Sequence, residues 1–212
     1  MNKRYLVVLD VDSTLIENEV IELLAAKAGS LEQVTAITER AMRGELDFEE
    51  SLRERVATLK GLPASSFTQV REEVTITRGV PELIAGVKAA GGHVGVVSGG
   101  FHEILDPIAE HLKLDFWRAN RLEVEDGQLT GRVSGQVVDA AAKAQALIEW
   151  AETTQTPISK TVAIGDGAND LKMMAVAGLS IAFDAKPIVR ERADVTLVER
   201  DLSRVLGLLG LD

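Results

Sequence analysis

The sequence predicts an α/β protein built on a doubly wound (Rossmann-like) parallel sheet. A small all-helical cap is inserted after the first strand, and a short β-hairpin follows near 121–138. Short, continuously apolar runs are typical of strands buried on both faces. Helical patterns lie between these runs, and strands that alternate with helices indicate a parallel sheet covered on both faces.

The elements of the core follow one another along the chain. Strands are predicted at 5–9, 94–97, 161–164, 180–183 and 195–198. Helices are predicted at 80–90, 101–111, 140–153 and 170–177. Alternating residues on both sides of Asp126-Gly127 predict the hairpin within 121–138, because this dipeptide favours a tight turn between strands.

Residues 15–75 interrupt the alternation of strands and helices. Apolar residues with a period near 3.6 predict helices at 21–28, 31–43, 48–59 and 64–74. Glycine and proline residues separate these helices. We therefore predict a helical cap at 15–75 and a core formed by 1–14 and 76–212, with hinges near 14–17 and 75–79.

The composition excludes several classes of function. The chain has 212 residues and a net charge of −10, which disfavours a nucleic-acid partner. It has no cysteine, so thiol nucleophiles and thiolate metal sites are excluded, and its 3 histidines are scattered. The N-terminus lacks a signal-peptide pattern and no apolar run reaches about 18 residues, so we expect a cytoplasmic protein without a membrane partner. The oligomeric state cannot be predicted from the sequence.

Polar residues follow three of the predicted strands. Asp10 and Asp12 follow the first strand, the glycine-rich segment at 98–100 follows the second, and Asp166 and Asp170 follow the third. The carboxyl ends of parallel strands share one edge, where open α/β sheets bind ligands. Carboxylates suit Mg²⁺, and small residues that open a helix let backbone N–H groups approach an anion.

Each of these segments alone is also typical of an ordinary turn. Lys143, in the helix after the hairpin, is by itself more typical of a solvated surface. Four such segments near one edge of a sheet instead indicate a shared site.

The four segments resemble the four motifs of the haloacid dehalogenase superfamily of phosphotransferases. The segment DVDST has aspartate at both positions, as in the phosphatases of that superfamily, and the helical cap follows the first motif. The segments DVDSTLIENE, VVSGGF and GDGANDLKMM are most similar to those of the phosphoserine-hydrolysing members, and the resemblance covers nearly the whole chain. Some members carry a regulatory N-terminal domain, which we expect this chain to lack.

The resemblance implies Mg²⁺-dependent hydrolysis of O-phosphoserine to serine and phosphate, the last step of serine biosynthesis. It makes Asp10 the nucleophile that forms an aspartyl-phosphate. Asp12 then acts as general acid and later as general base. Ser98 and Lys143 bind the phosphoryl oxygens, the lysine as a point charge.

The resemblance also implies the ligands of the metal. Mg²⁺ would be held by Asp10, by the backbone carbonyl of Asp12 and by Asp166. Asn169 and Asp170 would orient these ligands or the lysine.

Substrate recognition is implied mainly for the cap. Glu19 would pair with the ammonium of phosphoserine, and Arg55 would bind its carboxylate in a bidentate way. Met42 and Phe48 would exclude water. The residues assigned to substrate binding are Glu19, Met42, Phe48, Arg55, Ser98, Gly99, Gly100, Lys143 and Asn169.

Three alternative functions remain open from the sequence. The phosphoryl group could pass to another alcohol such as homoserine, the substrate could be a different small phosphate ester, or the protein could bind a phosphoamino acid without catalysis. A pure binding protein needs no nucleophile, so the pair Asp10 and Asp12 disfavours the last alternative. Glu19 with Arg55 favours a phosphorylated amino acid over a sugar phosphate, because a sugar phosphate offers neither an ammonium nor a carboxylate.

Overall fold

Seven strands form one sheet in the order β4-β3-β2-β1-β5-β6-β7 in the computed structural model, which describes residues 4–211. The strands are β1 (Leu6–Leu9), β2 (His93–Phe101), β3 (Phe116–Glu125), β4 (Gln128–Ser134), β5 (Thr161–Gly165), β6 (Leu179–Phe183) and β7 (Val195–Leu197). All neighbours pair in parallel except β4, which runs antiparallel to β3. The predicted doubly wound α/β fold is confirmed. Residues 1–3 and 212, assigned to the core from the sequence, lie outside the described residues.

The described part of the chain contains ten α-helices. They are α1 (Val20–Ala28), α2 (Leu31–Met42), α3 (Phe48–Ala57), α4 (Ser66–Glu73), α5 (Val80–Ala89), α6 (His102–His111), α7 (Ala140–Thr153), α8 (Leu171–Val176), α9 (Pro187–Arg190) and α10 (Arg204–Leu209). Helices α1 to α4 correspond to the four predicted helices between the first strand and the rest of the sheet. Within residues 4–211, no helix combines the length and the apolar character needed to span a membrane.

Strand β1 lies in the middle of the sheet, and its side chains are buried on both faces. Val7 and Leu9 belong to one hydrophobic cluster, whereas Leu6 and Val8 belong to a second one together with Trp150 of α7. β1 pairs with β2 on one side and with β5 on the other. The residues that follow β1 therefore leave the sheet between the ends of two neighbouring strands.

Strand β2 is longer than the predicted strand at 94–97. Residues 98–101 stay in the strand, and α6 begins at His102, so the prediction that the segment 98–100 opens a helix is wrong. The side-chain amide of Asn120 in β3 donates to the backbone carbonyl of Gly99 at 2.8 Å. Phe101 then pairs with Asn120 after a shift in register. These contacts hold the glycines in the sheet.

Strand β3 begins well before the predicted hairpin. Its first residues pair with β2, and only its second half forms the hairpin with β4. Phe116 and Trp117 are followed by Arg118, so this half shows no clean alternation of apolar and polar residues. Asp126 and Gly127 connect the two strands as predicted, and β4 ends at Ser134, before the predicted limit.

The two chain crossings between β1 and α1 and between α4 and α5 pair with each other. The backbone N–H of Glu17 donates to the Thr75 carbonyl at 2.9 Å, and that of Thr77 donates to the Leu15 carbonyl at 3.0 Å. The crossings are the segments predicted as hinges. The division into a cap at 15–75 and a core stays a prediction.

A second attachment joins the segment 61–64, between α3 and α4, to the hairpin. The N–H of Gly61 donates to the Leu129 carbonyl at 2.8 Å, and the N–H of Leu129 donates to the Leu62 carbonyl at 2.9 Å. Ala64 continues the pairing through the carbonyl of Gly127 at 2.8 Å. The helical insertion is thus tied to the sheet far from the place where the chain enters it.

Candidate active site

A cavity of about 840 Å³ lies between the carboxyl ends of the central strands and the helices α1, α2 and α3. Of the residues predicted from the sequence, its wall includes Asp10, Asp12, Glu19, Met42, Phe48, Arg55, Gly99, Gly100, Asp166 and Asn169. Ser98, Lys143 and Asp170 are buried and do not line the cavity. The structure therefore brings most of the predicted residues to one cavity, with three others buried in the core.

The chain turns sharply after β1, so both aspartates of the first motif face the cavity. The N–H of Leu15 donates to the Asp10 carbonyl at 3.3 Å, and the N–H of Ile16 donates to the Val11 carbonyl at 3.0 Å, which gives one unusually wide helical turn. Inside this turn Ser13 has a φ of 57°, in the left-handed region. A regular helix would instead point residues two positions apart in different directions.

Lys143 is wholly buried in α7 between two carboxylates. Its Nζ lies 2.8 Å from Oδ1 of Asp10 and 2.8 Å from Oδ1 of Asp170. Burial lowers the pKa of the Lys143 ammonium, but the two carboxylates outweigh this effect and raise the pKa above its usual value. A lone lysine on a helix is typically solvated, so this burial departs from what the helix alone suggests: Lys143 pairs with the nucleophile candidate Asp10.

Asp170 has hydrogen-bond donors on both oxygens. Oδ1 accepts from Lys143, and Oδ2 accepts from the N–H of Gly167 at 3.2 Å. A Cβ on Gly165 would lie 2.2 Å from Oδ2 of Asp170, so the residue at the end of β5 must be glycine. Asp170 is therefore placed to orient Lys143.

Asp166 follows β5 directly and lines the cavity. Loss of hydration, together with the negative charges of Asp10 and Glu19, raises the pKa of its carboxyl to about 6. Oxygens of Asp10, Asp166 and Asp170 all lie within 4.8 Å of one another. An all-oxygen donor set of this kind fits a hard divalent cation.

Asp12 has a carboxyl oxygen that is buried without a hydrogen-bond partner in the structure. Loss of hydration and the charges of Glu19 and Asp10 raise the pKa of this carboxyl well above its usual range. A raised pKa favours the protonated form, which a proton donor needs.

The second motif contacts both Asp12 and the cap. The N–H of Gly100 donates to Oγ of Ser98 at 2.7 Å. A Cβ on Gly100 would lie 3.2 Å from Oδ2 of Asp12, and a Cβ on Gly99 would lie 2.8 Å from the ring of Phe48. The glycines therefore allow a cap side chain and the first motif to approach the strand closely.

Glu19 and Arg55, two residues of opposite charge, both line the cavity. Glu19 precedes α1, and its Oε1 accepts a hydrogen bond from Oγ of Ser13 at 2.6 Å. Arg55 of α3 is half-buried, and reduced hydration lowers its pKa although the charges of Glu19 and Asp12 oppose this change. Met42 lines the same cavity but is 68% exposed, so its implied role in excluding water stays a prediction.

Sequence reasoning assigned no role to Ser13 and Lys186, two polar residues that interact with carboxylates of the site. Ser13 lies inside the first motif, where its polar side chain next to Asp12 was the available signal. Lys186 lines the cavity, and its charge lowers the pKa of Glu19 and of Asp166. Lys186 follows β6, which was predicted as a strand, but a single lysine after a strand is by itself more typical of a solvated surface.

The family model described as haloacid dehalogenase-like hydrolase matches residues 7–175. The chain belongs to the haloacid dehalogenase-like hydrolase family. This family member is 56% identical over 206 residues to a phosphoserine phosphatase of Streptomyces coelicolor, a match that covers 97% of this chain and 50% of the relative. It is 50% identical over 204 residues to a phosphoserine phosphatase of Streptococcus thermophilus, covering 96% of this chain and 95% of the relative. The chain thus spans half the length of the first relative and nearly all of the second.

A solved structure described as a phospho-aspartyl intermediate analogue of phosphoserine phosphatase has the same fold as this haloacid dehalogenase-like hydrolase. The TM-score is 0.91 at 46% sequence identity, and the match covers 97% of this chain and 98% of the other. The resemblance stated from the four motifs is confirmed at the level of the family.

Proposed function

We propose that this chain hydrolyses O-phosphoserine to serine and phosphate in the cytoplasm, with Mg²⁺ bound at the carboxylate cluster. The observation that supports this most strongly is a single cavity that places Asp10, paired with Lys143, together with Glu19 and Arg55. The first pair suits phosphoryl transfer, and the second pair suits the two charged groups of an amino acid. The names of the relatives in both comparisons agree with this reaction.

Asp10 is the proposed nucleophile. Its Oδ1 accepts hydrogen bonds from the N–H of Val11 at 2.7 Å and from Lys143 at 2.8 Å, which orients Oδ2 for attack on phosphorus. A bond forms between this oxygen and phosphorus, and the bond from phosphorus to the serine oxygen breaks. The product of this step is an aspartyl-phosphate.

Asp12 supplies the proton of the first step and removes one in the second. The protonated carboxyl, which its raised pKa favours, gives its proton to the departing serine oxygen. The resulting carboxylate takes a proton from water as the water oxygen attacks phosphorus. The bond between phosphorus and Asp10 then breaks, and both carboxyl groups return to their starting states.

Ser98 and Lys143 are the proposed ligands of the phosphoryl oxygens. The hydroxyl of Ser98 accepts from Gly100, so its own hydrogen remains for donation to the phosphate. The ammonium of Lys143 has three donors, of which Asp10 and Asp170 use two. The third is assigned to the phosphate, and backbone contacts at Gly99 and Gly100 complete this part of the site.

Asp10, the carbonyl of Asp12 and Asp166 would hold Mg²⁺, with Asn169 and Asp170 as supporting residues. The clustered oxygens of Asp10, Asp166 and Asp170 fit this cation. Bound Mg²⁺ would neutralise charge on the phosphate as the carboxylate approaches it.

The amino-acid part of the substrate is assigned to the cap. Glu19 pairs with the ammonium, and the planar fork of Arg55 binds the carboxylate. Phe48, which packs on Gly99, covers the phosphate end of the cavity. The net charge of −10 gives no reason to expect a nucleic-acid partner.

A phosphate-release screen over small phosphate esters, with and without EDTA, tests the proposal. Phosphoserine should be hydrolysed most efficiently, and EDTA should abolish the release. Equal rates with phosphoserine and sugar phosphates would contradict the assignment of Glu19 and Arg55. A parallel incubation with homoserine separates hydrolysis from transfer, because transfer yields a new phosphoester in place of free phosphate.

A further inference from the structure

Ser13 combines a strained backbone with a short side-chain hydrogen bond. Its φ of 57° lies in the left-handed region, which is unfavourable for a non-glycine residue. Glycine would adopt this conformation without that cost. The serine at this position instead donates its hydroxyl hydrogen to Oε1 of Glu19 at 2.6 Å.

The surrounding backbone holds Ser13 in this conformation. Its N–H donates to the Asn18 carbonyl at 3.3 Å. This contact closes the loop 13–18, so the hydroxyl of Ser13 and the carboxylate of Glu19 lie at neighbouring ends of one short segment. The next residue, Val20, begins α1.

The side chain of Glu19 has little else to fix its direction. Glu19 is the residue before α1 but makes no side-chain hydrogen bond to the start of that helix. It lines the cavity, and a glutamate has three rotatable side-chain bonds whose freedom is lost when it is ordered. The hydrogen bond from the Ser13 hydroxyl restricts that freedom before any ligand binds. It also lowers the pKa of the Glu19 carboxyl, in opposition to the loss of hydration, which raises it.

We propose that Ser13 is a positioning residue that sets the carboxylate of Glu19 for the ammonium group of the substrate. This inference rests on the proposed function, which assigns Glu19 to that ammonium. Ser13 follows Asp12 directly, so one short turn joins the reacting end of the cavity to the end that recognises the amino acid. Ser13 makes no proposed contact with the phosphate.

The variants Ser13→Ala and Ser13→Gly test the hypothesis as a pair. Both remove the hydroxyl, but only glycine relieves the left-handed backbone, so an effect of the hydroxyl must be the same in both. KM for phosphoserine should rise roughly tenfold in each, the scale of a hydrogen bond to a charged group. With an aryl phosphate, which lacks the ammonium, kcat and KM should stay within about twofold of the wild type if only ground-state binding of the ammonium is lost.

A double-mutant cycle tests whether Ser13 acts on the substrate through Glu19. In the Glu19→Gln background, Ser13→Ala should raise KM for phosphoserine by much less than it does in the wild type, because the carboxylate it positions is gone. An equal rise in both backgrounds, or an equal loss on the aryl phosphate, would overturn the hypothesis. If the wild type does not hydrolyse phosphoserine, the proposed function fails, and this inference fails with it. If it does and Ser13→Ala leaves KM unchanged, this inference alone fails.

Discussion

Asp10 depends on two donors from different parts of the chain. The adjacent backbone N–H and the buried Lys143 both contact Oδ1, and Asp170 holds Lys143 from the other side. Replacing Asp10 by asparagine removes the charge with little change in shape, because the side-chain oxygen of asparagine can still accept both hydrogen bonds.

We expect Asp10→Asn to abolish steady-state phosphate release while the fold is kept. An amide cannot form the aspartyl-phosphate. Phosphate release and circular dichroism are the measurements. Asp126→Asn in the hairpin turn is a matched control, since asparagine tolerates the positive φ there and the residue lies outside the cavity. Turnover by a clean Asp10→Asn preparation would refute the nucleophile assignment.

Arg55→Ala should lower kcat/KM for phosphoserine by roughly 10- to 100-fold, because a charged hydrogen-bonding partner of the substrate is lost. The loss with an aryl phosphate, which has no carboxylate, should be far smaller. Arg53→Ala is the control on the same helix, where Arg53 pairs with Glu49 outside the cavity. A similar loss on both substrates would show that Arg55 acts on the phosphate or on the fold.

At the scale of the elements, we expect the paired crossings to act as hinges between the helices α1 to α4 and the sheet. Closure over the substrate and opening for product release would bend the segments 14–17 and 75–79. The hydrogen bonds between these segments make them bend together.

Limited proteolysis with and without a phosphate mimic should show slower cleavage in the crossings when the mimic is bound. The mimic favours the closed arrangement, and cleavage follows the population of the open one. Fragment masses identify the cut sites, and cleavage elsewhere in the same digest serves as the internal control. Equal protection of both crossings in the two states would contradict the hinge hypothesis.

The sequence predicts the elements with strong periodic patterns and misses the rest for identifiable reasons. β1 and β5 are continuous apolar runs, and both are where the pattern predicts them. The first half of β3 contains a charged residue that lies over the ring of Trp150, so no alternation marks it. Helix α9 spans only 4 residues, which is too short to show a helical period.

The sequence likewise predicts some features of the site and misses others. The clustering of Asp10 and Asp166 follows from strand ends that share one edge, which the pattern of strands predicts. The burial of Lys143 does not follow from its own surroundings in sequence, and only the family resemblance indicated it. The hydrogen bond between Ser13 and Glu19 depends on the left-handed backbone of Ser13, which cannot be predicted from the preferences of the residues there.

At the scale of the whole molecule, the net charge of −10 is unfavourable for an anionic substrate. The cavity itself carries Asp10, Asp12, Glu19 and Asp166. Arg55 and Lys186 in its wall and the buried Lys143 balance part of this charge. A divalent cation would lower the repulsion among these carboxylates and bind only the folded state, so it should stabilise the fold.

We therefore expect added Mg²⁺ to raise the Tm of the wild type and EDTA to lower it again. In Asp166→Asn the response to Mg²⁺ should be lost along with turnover, because a proposed metal ligand is removed. Differential scanning calorimetry at constant ionic strength measures the shift, and Asp126→Asn should respond like the wild type. A full Mg²⁺ response in Asp166→Asn would rule out that residue as a ligand.

The central position of β1 has a consequence for the order in which the protein can be completed during synthesis. β1 precedes the other six strands of the sheet in the chain, yet its two neighbours end at Phe101 and Gly165. Lys143, which pairs with Asp10, lies between these two strands in the chain, and Asp170, which pairs with Lys143, follows β5, so the surroundings of Asp10 assemble only after residue 170 has been made. Contacts of such long sequence separation fold slowly. Until β5 has been made, β1 therefore lacks a partner along one side, and the growing chain exposes an apolar strand edge of the kind that favours aggregation.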